Sequence, residues 1–246
     1  MEIEMNNEGD IQRLKVDQYG IDNLTFCLYL NQSHTTRTIT YRKKFLYSFI
    51  KRLFDIVASI IALIILFIPM LIIGIGVKLT SKGPMIYVST RIGKNGKKFR
   101  FYKFRSMRKD AEKELSQLLE KNEVKGGVTF KMENDPRVTK YGRFLRKTSL
   151  DELPQLFNIL KGDMTFVGPR PCTDREYELY TDYEKQRLLV PQGLTGEWQA
   201  KGRSNTTFHE MLQMDFKYIE NKRGFFYDLW LIFLTLVAVF KRDGAK

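Results

Sequence analysis

The chain has 246 residues and a mass of 29.0 kDa, room for one domain or for one domain with an extension. Hydrophobic residues at 43% and charged residues at 28% exclude wholesale disorder. A formal net charge of +13, from 41 Lys and Arg against 28 Asp and Glu, points to anionic partners: nucleic acid, an acidic membrane surface or phosphorylated substrates. Two cysteines, Cys27 and Cys172, exclude a disulfide scaffold. Two histidines, His34 and His209, are too few for a histidine-rich metal site. His209-Glu210 has Gln213 where a zinc-protease helix needs its second His.

Residues 1–45 read as a separate extension, acidic and polar at its start, with one short strand at most over Thr25–Leu30. The acidic start and the late apolar run do not read as a signal peptide. Ile56–Val77 then holds 22 residues without a charge. At about 1.5 Å per residue it reaches roughly 33 Å, enough for the about 30 Å hydrocarbon core. Pro69 interrupts this run and is expected to break or kink the helix. The flanks are basic on both sides: Arg37, Arg42, Lys43, Lys44, Lys51 and Arg52 before, Lys78 and Lys82 after. Basic flanks favour the cytoplasmic side. A re-entrant hairpin over about 50–78, bent at Pro69, satisfies both flanks, and a kinked full span is the competing arrangement.

Met85–Ile92 and Lys97–Phe104 alternate as strands around the turn signal Asn95-Gly96. Lys109–Lys121 reads as an exposed helix and Glu123–Asp135 as a loop. Basic residues at 137, 140, 143, 146 and 147 mark one face of a helix. Leu153, Leu156, Phe157 and Leu160 have helical spacing up to Gly162, and Pro154 is tolerated only in a first turn, so that helix is placed from near Asp151. Val167–Pro171 fixes Arg170 between two prolines. A helix follows over 206–220, and Leu229–Phe240 is an apolar stretch too short to cross, suited to the interface or to the core. With the hairpin arrangement, the whole is expected to be an α+β, mainly helical monotopic membrane protein with a small β-hairpin.

Asp151 and Glu152 are adjacent acids at a helix start. The helix dipole alone favours acids there. The functional alternative is a carboxylate nucleophile beside a carboxylate that binds a divalent cation. Surrounding cations are expected to lower both pKa values. Ten basic residues between Arg91 and Lys113, against two acids, ask for anions. Strand alternation aims Lys103 and Arg105 at one face. Arg170, on a rigid loop, suits a phosphate. Asp215 could complete a metal or charge network. Nucleic acid is set aside, because no DNA- or RNA-binding module is present and the intramembrane run puts the charge beside lipid headgroups.

Lys51-Arg-Leu-Phe-Asp55, the Pro-broken apolar run, Tyr102–Met107, Thr148–Met164, Val167–Pro171, Gly193–Gly196 and Gly202-Arg203 together resemble the bacterial sugar transferases, the monotopic phosphoglycosyl transferases, over about residues 46–242. The chain departs from the common pattern at Ile68, at Arg91-Ile92-Gly93 and at Glu197. The resemblance implies transfer of a sugar 1-phosphate from a UDP-sugar to polyprenyl (undecaprenyl) phosphate, with release of UMP. It implies Asp151 as nucleophile of a covalent phosphosugar intermediate and Glu152 as ligand of Mg²⁺. Lys103, Arg105, Arg170, Asp215 and Arg203 would bind substrate. The setting would be the cytoplasmic face of a bacterial membrane, feeding exopolysaccharide or capsule synthesis. Other copies of the chain and downstream glycosyltransferases would be further partners. Two alternatives stand beside it: a non-catalytic basic scaffold on acidic lipid, and a glycosyltransferase that releases UDP.

Overall fold

The computed structural model of the chain describes residues 38–114, 118, 132, 134–202 and 206–241. The first element is the long helix α1, Phe45–Thr80. A hairpin follows, β1 (Ile86–Ile92) and β2 (Lys98–Phe104), then α2 (Lys140–Lys147) and α3 (Gln155–Lys161). The strand β3 (Thr165–Val167), short helices α4 (Asp174–Leu179) and α5 (Asp182–Lys185), and β4 (Gly193–Thr195) come next. The chain ends in α6 (Glu197–Lys201), α7 (Phe208–Lys217) with a π-turn at Tyr218–Lys222, and α8 (Phe225–Phe240). Among the described residues the fold is mainly helical, with one antiparallel hairpin and one parallel β3–β4 pair.

The β-hairpin stands where alternation put it, in register from Ile86 opposite Phe104 to Ile92 opposite Lys98. Asn95 (φ 55°) and Gly96 (φ 75°) both lie in the left-handed region, which is why Asn-Gly suits this turn. Gly162 ends α3 in the same region. Helix α2 is capped by Thr139, whose side chain accepts from Gly142 N–H at 2.9 Å. The helix expected from Asp151 starts later. Asp151 and Glu152 lie in a 3₁₀ turn, Leu150–Glu152, and α3 begins after Pro154. Lys109–Glu114 forms turns rather than helix; most of 115–121 and of the loop expected at 123–135 lies outside the described residues, as does the strand expected at Thr25–Leu30.

Pro69 does not split the apolar run into two helices. It sits inside α1, which continues on both sides. Proline removes one hydrogen bond, and packing on either side of it holds the rest. Before Pro69, Ala62, Leu63 and Leu66 pack on a core of Phe101, Leu156, Ile159 and Met164. After it, Met70, Ile73 and Val77 pack with Phe104 and Leu145. The steps of three and four residues put these groups on one helical face. The opposite face is bare: Ile64 is 72% exposed and Ile72 63%. The helix is long and apolar enough to cross a membrane.

Both ends of α1 are tied to the same body. Lys51 pairs with Asp228 at the start of α8, and Arg52 donates to the carbonyls of Ile159 and Leu160 at 2.6 and 2.8 Å. At the far end Arg105 holds Ser81. Helix α8 has two faces as well: Leu231 is fully buried, while Phe226, Trp230, Phe233 and Leu236 stand exposed. The described end of the N-terminal extension is packed too. Ile39 is buried in the largest core, and its N–H donates to Gln186 Oε1 at 2.7 Å.

Candidate active site

The acid pair is placed by three local devices. Ser149, at φ 56° without being glycine, holds a left-handed turn that costs about 1–2 kcal/mol and swings the chain out of α2 into the acid-bearing turn. Asn158 is fully buried on α3, and its amide bonds β2 twice, accepting from Tyr102 N–H at 3.1 Å and donating to the Arg100 carbonyl at 2.6 Å. That clamp sets β2, and with it Lys103, beside the acids. The third device is the Val167–Pro171 loop. Gly168 N–H donates to Thr195 O and Gly193 N–H to Pro169 O, both at 2.8 Å. A Cβ on Gly168 would run into the Pro191 carbonyl, so only glycine lets the two backbones meet. Ile92 N–H holds Cys172 O at 2.9 Å from the other side, and Arg170 is thereby aimed.

Four of the expected residues meet here. Lys103 Nζ lies 2.7 Å from Glu152 Oε1 and 3.7 Å from Asp151 Oδ2. Arg170 Nη1 lies 3.4 Å from the same Glu152 oxygen. Arg146, which the sequence marked only as part of a basic face, adds its positive field to Asp151 and is steadied by Ser106 Oγ at 3.0 Å. Its helical position alone does not reveal that it turns inward while Lys140, Arg143 and Lys147 face solvent. Arg137 precedes the helix and is spent on a buried pair with Asp135 at 2.7 Å.

The two acids are driven apart rather than lowered together, which corrects the sequence expectation. Asp151 is 5% exposed, and loss of water raises its pKa; the negative charge of Glu152 adds to this against Lys103, Arg146 and Arg170. For Glu152 burial works upward as well, but Lys103 and Arg170 overcome it and hold the carboxyl down to about 2. The ionised form of Glu152 is thus favoured, and Oε2 has no hydrogen bond among the described residues. This fits Mg²⁺, which takes one or two carboxylates together with substrate phosphates. Among the described residues no cluster of three or more ligating side chains would enclose a metal by itself.

Arg105 and Asp215 do not join this cluster. Strand β2 ends at Phe104, so alternation no longer governs Arg105, and its guanidinium turns to Ser81 at the end of α1. Asp215 lies on the buried face of α7 and meets Arg187 at 2.6 Å inside the core. Arg203 lies outside the described residues.

The sequence profile of the family described as bacterial sugar transferase matches residues 46–242. The chain belongs to the bacterial sugar transferase family. Among its relatives is the galactosyl transferase CpsE of Streptococcus agalactiae, 48% identical over 212 residues, 85% of this chain and 46% of that one. The undecaprenyl-phosphate galactose phosphotransferase of Salmonella typhimurium is 45% identical over 201 residues, 80% of this chain and 42% of its own. The exopolysaccharide production protein ExoY of Rhizobium meliloti is 41% identical over 195 residues, 78% and 82% of the two chains. The chain thus spans less than half the length of the first two and most of the third. The family match covers the acid pair, Lys103, Arg146 and Arg170, and begins within the first turn of α1.

Proposed function

We propose that this family member transfers a sugar 1-phosphate from a UDP-sugar to polyprenyl phosphate, of the undecaprenyl kind, and releases UMP. The reaction would open the membrane stage of an exopolysaccharide, capsule or related glycan. The observation that carries this reading is the geometry of the acid pair, with Lys103 in reach of both carboxylates and Arg170 on a rigid loop at the same Glu152 oxygen. The family match and the names of the relatives support the chemistry.

Lys103 and Arg170 would grip the donor diphosphate. Asp151, ionised, attacks the phosphorus that bears the sugar. A bond forms from its carboxylate oxygen to phosphorus, and the bond from phosphorus to the UMP oxygen breaks, its electron pair leaving with UMP. The phosphosugar remains on Asp151. An oxygen of the lipid phosphate then attacks the same phosphorus, the Asp151–phosphorus bond breaks and the carboxylate is regained. Lys103 and Arg146 offset the charge of Asp151 in the free state. When bound at Glu152, Mg²⁺ would supply charge neutralisation on the diphosphate and on departing UMP.

One substrate is water-soluble and the other has its phosphate at a membrane surface, so the site belongs at headgroup depth. We read α1 as monotopic, its bare face in lipid and both ends on the cytoplasmic side. Support comes from packing: the body follows α1 from Arg52 to Val77, and charged groups of that body cannot enter hydrocarbon. Cysteines placed at Lys43 and Lys82 should both be labelled from the cytoplasmic side; labelling from opposite sides would end this topology.

Purified protein with polyprenyl phosphate, Mg²⁺ and a panel of UDP-sugars tests the activity. UMP release with one donor is expected. Release of UDP would indicate a glycosyltransferase, and no nucleotide release with any donor would favour a scaffold.

A further inference from the structure

A cavity of about 120 Å³ lies between the first turns of α1 and the body, apart from the acid pair. Tyr41, Tyr47, Lys51, Arg52, Lys94 and Arg223 contribute to its lining; Lys103, Asp151, Glu152 and Arg170 do not. It is far larger than the roughly 10–15 Å³ that admits one water.

Arg223 is the group that asks for a ligand. It is only 6% exposed, and its guanidinium is flanked by the rings of Tyr41 and Tyr47 at 4.9 and 5.5 Å. Among the described residues its guanidinium makes one long hydrogen bond, Nη1 to the Arg42 carbonyl at 3.4 Å. No carboxylate lies within ion-pair distance of it among the described residues. A buried cation in that state is costly unless an anion joins it. Arg52 gives two N–H groups to carbonyls at the end of α3 and shares the field of Asp55 with Lys51. Lys94 is exposed and carries no ion pair among the described residues. On the acidic side, Asp55 lines the cavity and accepts from Phe166 N–H at 3.1 Å, while Asp228 is held by Lys51, Tyr47 and Tyr218. Positive charge remains in excess.

We propose that this cavity is a second anion site, which binds a phosphate group with Arg223 as its principal donor. A guanidinium in such a recess suits phosphate oxygens, to which it can give two parallel hydrogen bonds. The phosphate can belong to a lipid headgroup or be free in solution, and the surroundings favour the headgroup. Phe45, Leu46 and Phe49 stand 87%, 70% and 61% exposed on the helical turns that line the cavity, as apolar residues do at the edge of a bilayer. A phosphate held here would lock the start of α1 to the Arg223 turn and fix the depth of the helix. The site does not depend on the transferase reading.

The test uses the full chain in nonionic micelles, in a Lys103→Ala/Arg170→Ala background that removes the cations beside the acid pair. Inorganic phosphate is titrated in one arm and phosphatidylglycerol in the other, both followed by ³¹P line broadening. Saturable binding is expected, at least about tenfold weaker with Arg223→Gln. Lys94→Ala, at an exposed position that does not bear on folding, should weaken it about two- to threefold. Binding of phosphatidylglycerol alone assigns the headgroup, and binding of inorganic phosphate assigns a soluble ligand; either supports the site. No saturable binding in either arm, or equal binding by the background protein and both variants, overturns it.

Discussion

Around Asp215 one carboxylate meets one guanidinium, Arg187, at 2.6 Å, and both are almost fully buried. Around Asp151 two carboxylates share Lys103, with Arg170 half-exposed at the rim and Arg146 behind. The first cluster is closed and one to one. Burial raises Asp215 to about 6 against the pull of Arg187, and the negative charge of Glu197 adds to the rise. The second is open and crowded, and its acids are pushed in opposite directions. A core pair can tolerate a raised acid because its partner is fixed. A pair that divides into one raised and one lowered carboxyl has two roles to fill, a group that must gain and lose charge and a group that stays ionised.

The comparison can be broken most strongly at Asp151. Asp151→Asn should lower turnover by about three orders of magnitude or more, while thermal unfolding shows no loss of stability, since a costly buried charge has gone. Normal turnover would remove the nucleophile. Asp215→Ala should do the reverse: stability falls by about 3–5 kcal/mol in a denaturant titration, because Arg187 is left buried and unpaired. Arg170→Ala should reduce kcat/KM by roughly 10- to 100-fold through loss of a charge-assisted phosphate contact, with little change in stability at this half-exposed place. The last effect is one of direction. On the proposed mechanism activity requires ionised Asp151, so the rate should rise with pH through its raised pKa. Glu152→Gln removes a negative neighbour, which lowers that pKa and moves the acid limb of the residual activity to lower pH. Lys103→Ala removes a positive one and moves it higher. A limb that stays in place in both variants would separate Asp151 from the rate.

Local chemistry explains which parts were legible in the sequence. Asn95-Gly96 gave the hairpin because its backbone preference is local, and Gly162 gave the end of α3 for the same reason. Charge, a rigid loop and the family resemblance point to Asp151, Glu152, Lys103 and Arg170, and the four lie together. Residues governed by packing were not legible in this way. Whether helix α1 breaks at Pro69 depends on two separate cores that hold its arms. Arg105 was misplaced because alternation cannot tell where a strand ends. Asp215 does join a charge pair, but away from the acid pair, because a lone acid on a helix does not reveal the buried arginine facing it from elsewhere in the chain. Asn158, which ties β2 to α3, had one faint signal, an amide within an otherwise apolar helical face.

The nucleophile is tested most directly by trapping. Purified chain incubated with its UDP-sugar and Mg²⁺, without lipid acceptor, should gain the mass of one phosphosugar, mapped by peptide mass spectrometry to Asp151 and discharged on addition of polyprenyl phosphate. An active preparation that never carries the adduct, or carries it on another residue, would contradict the account.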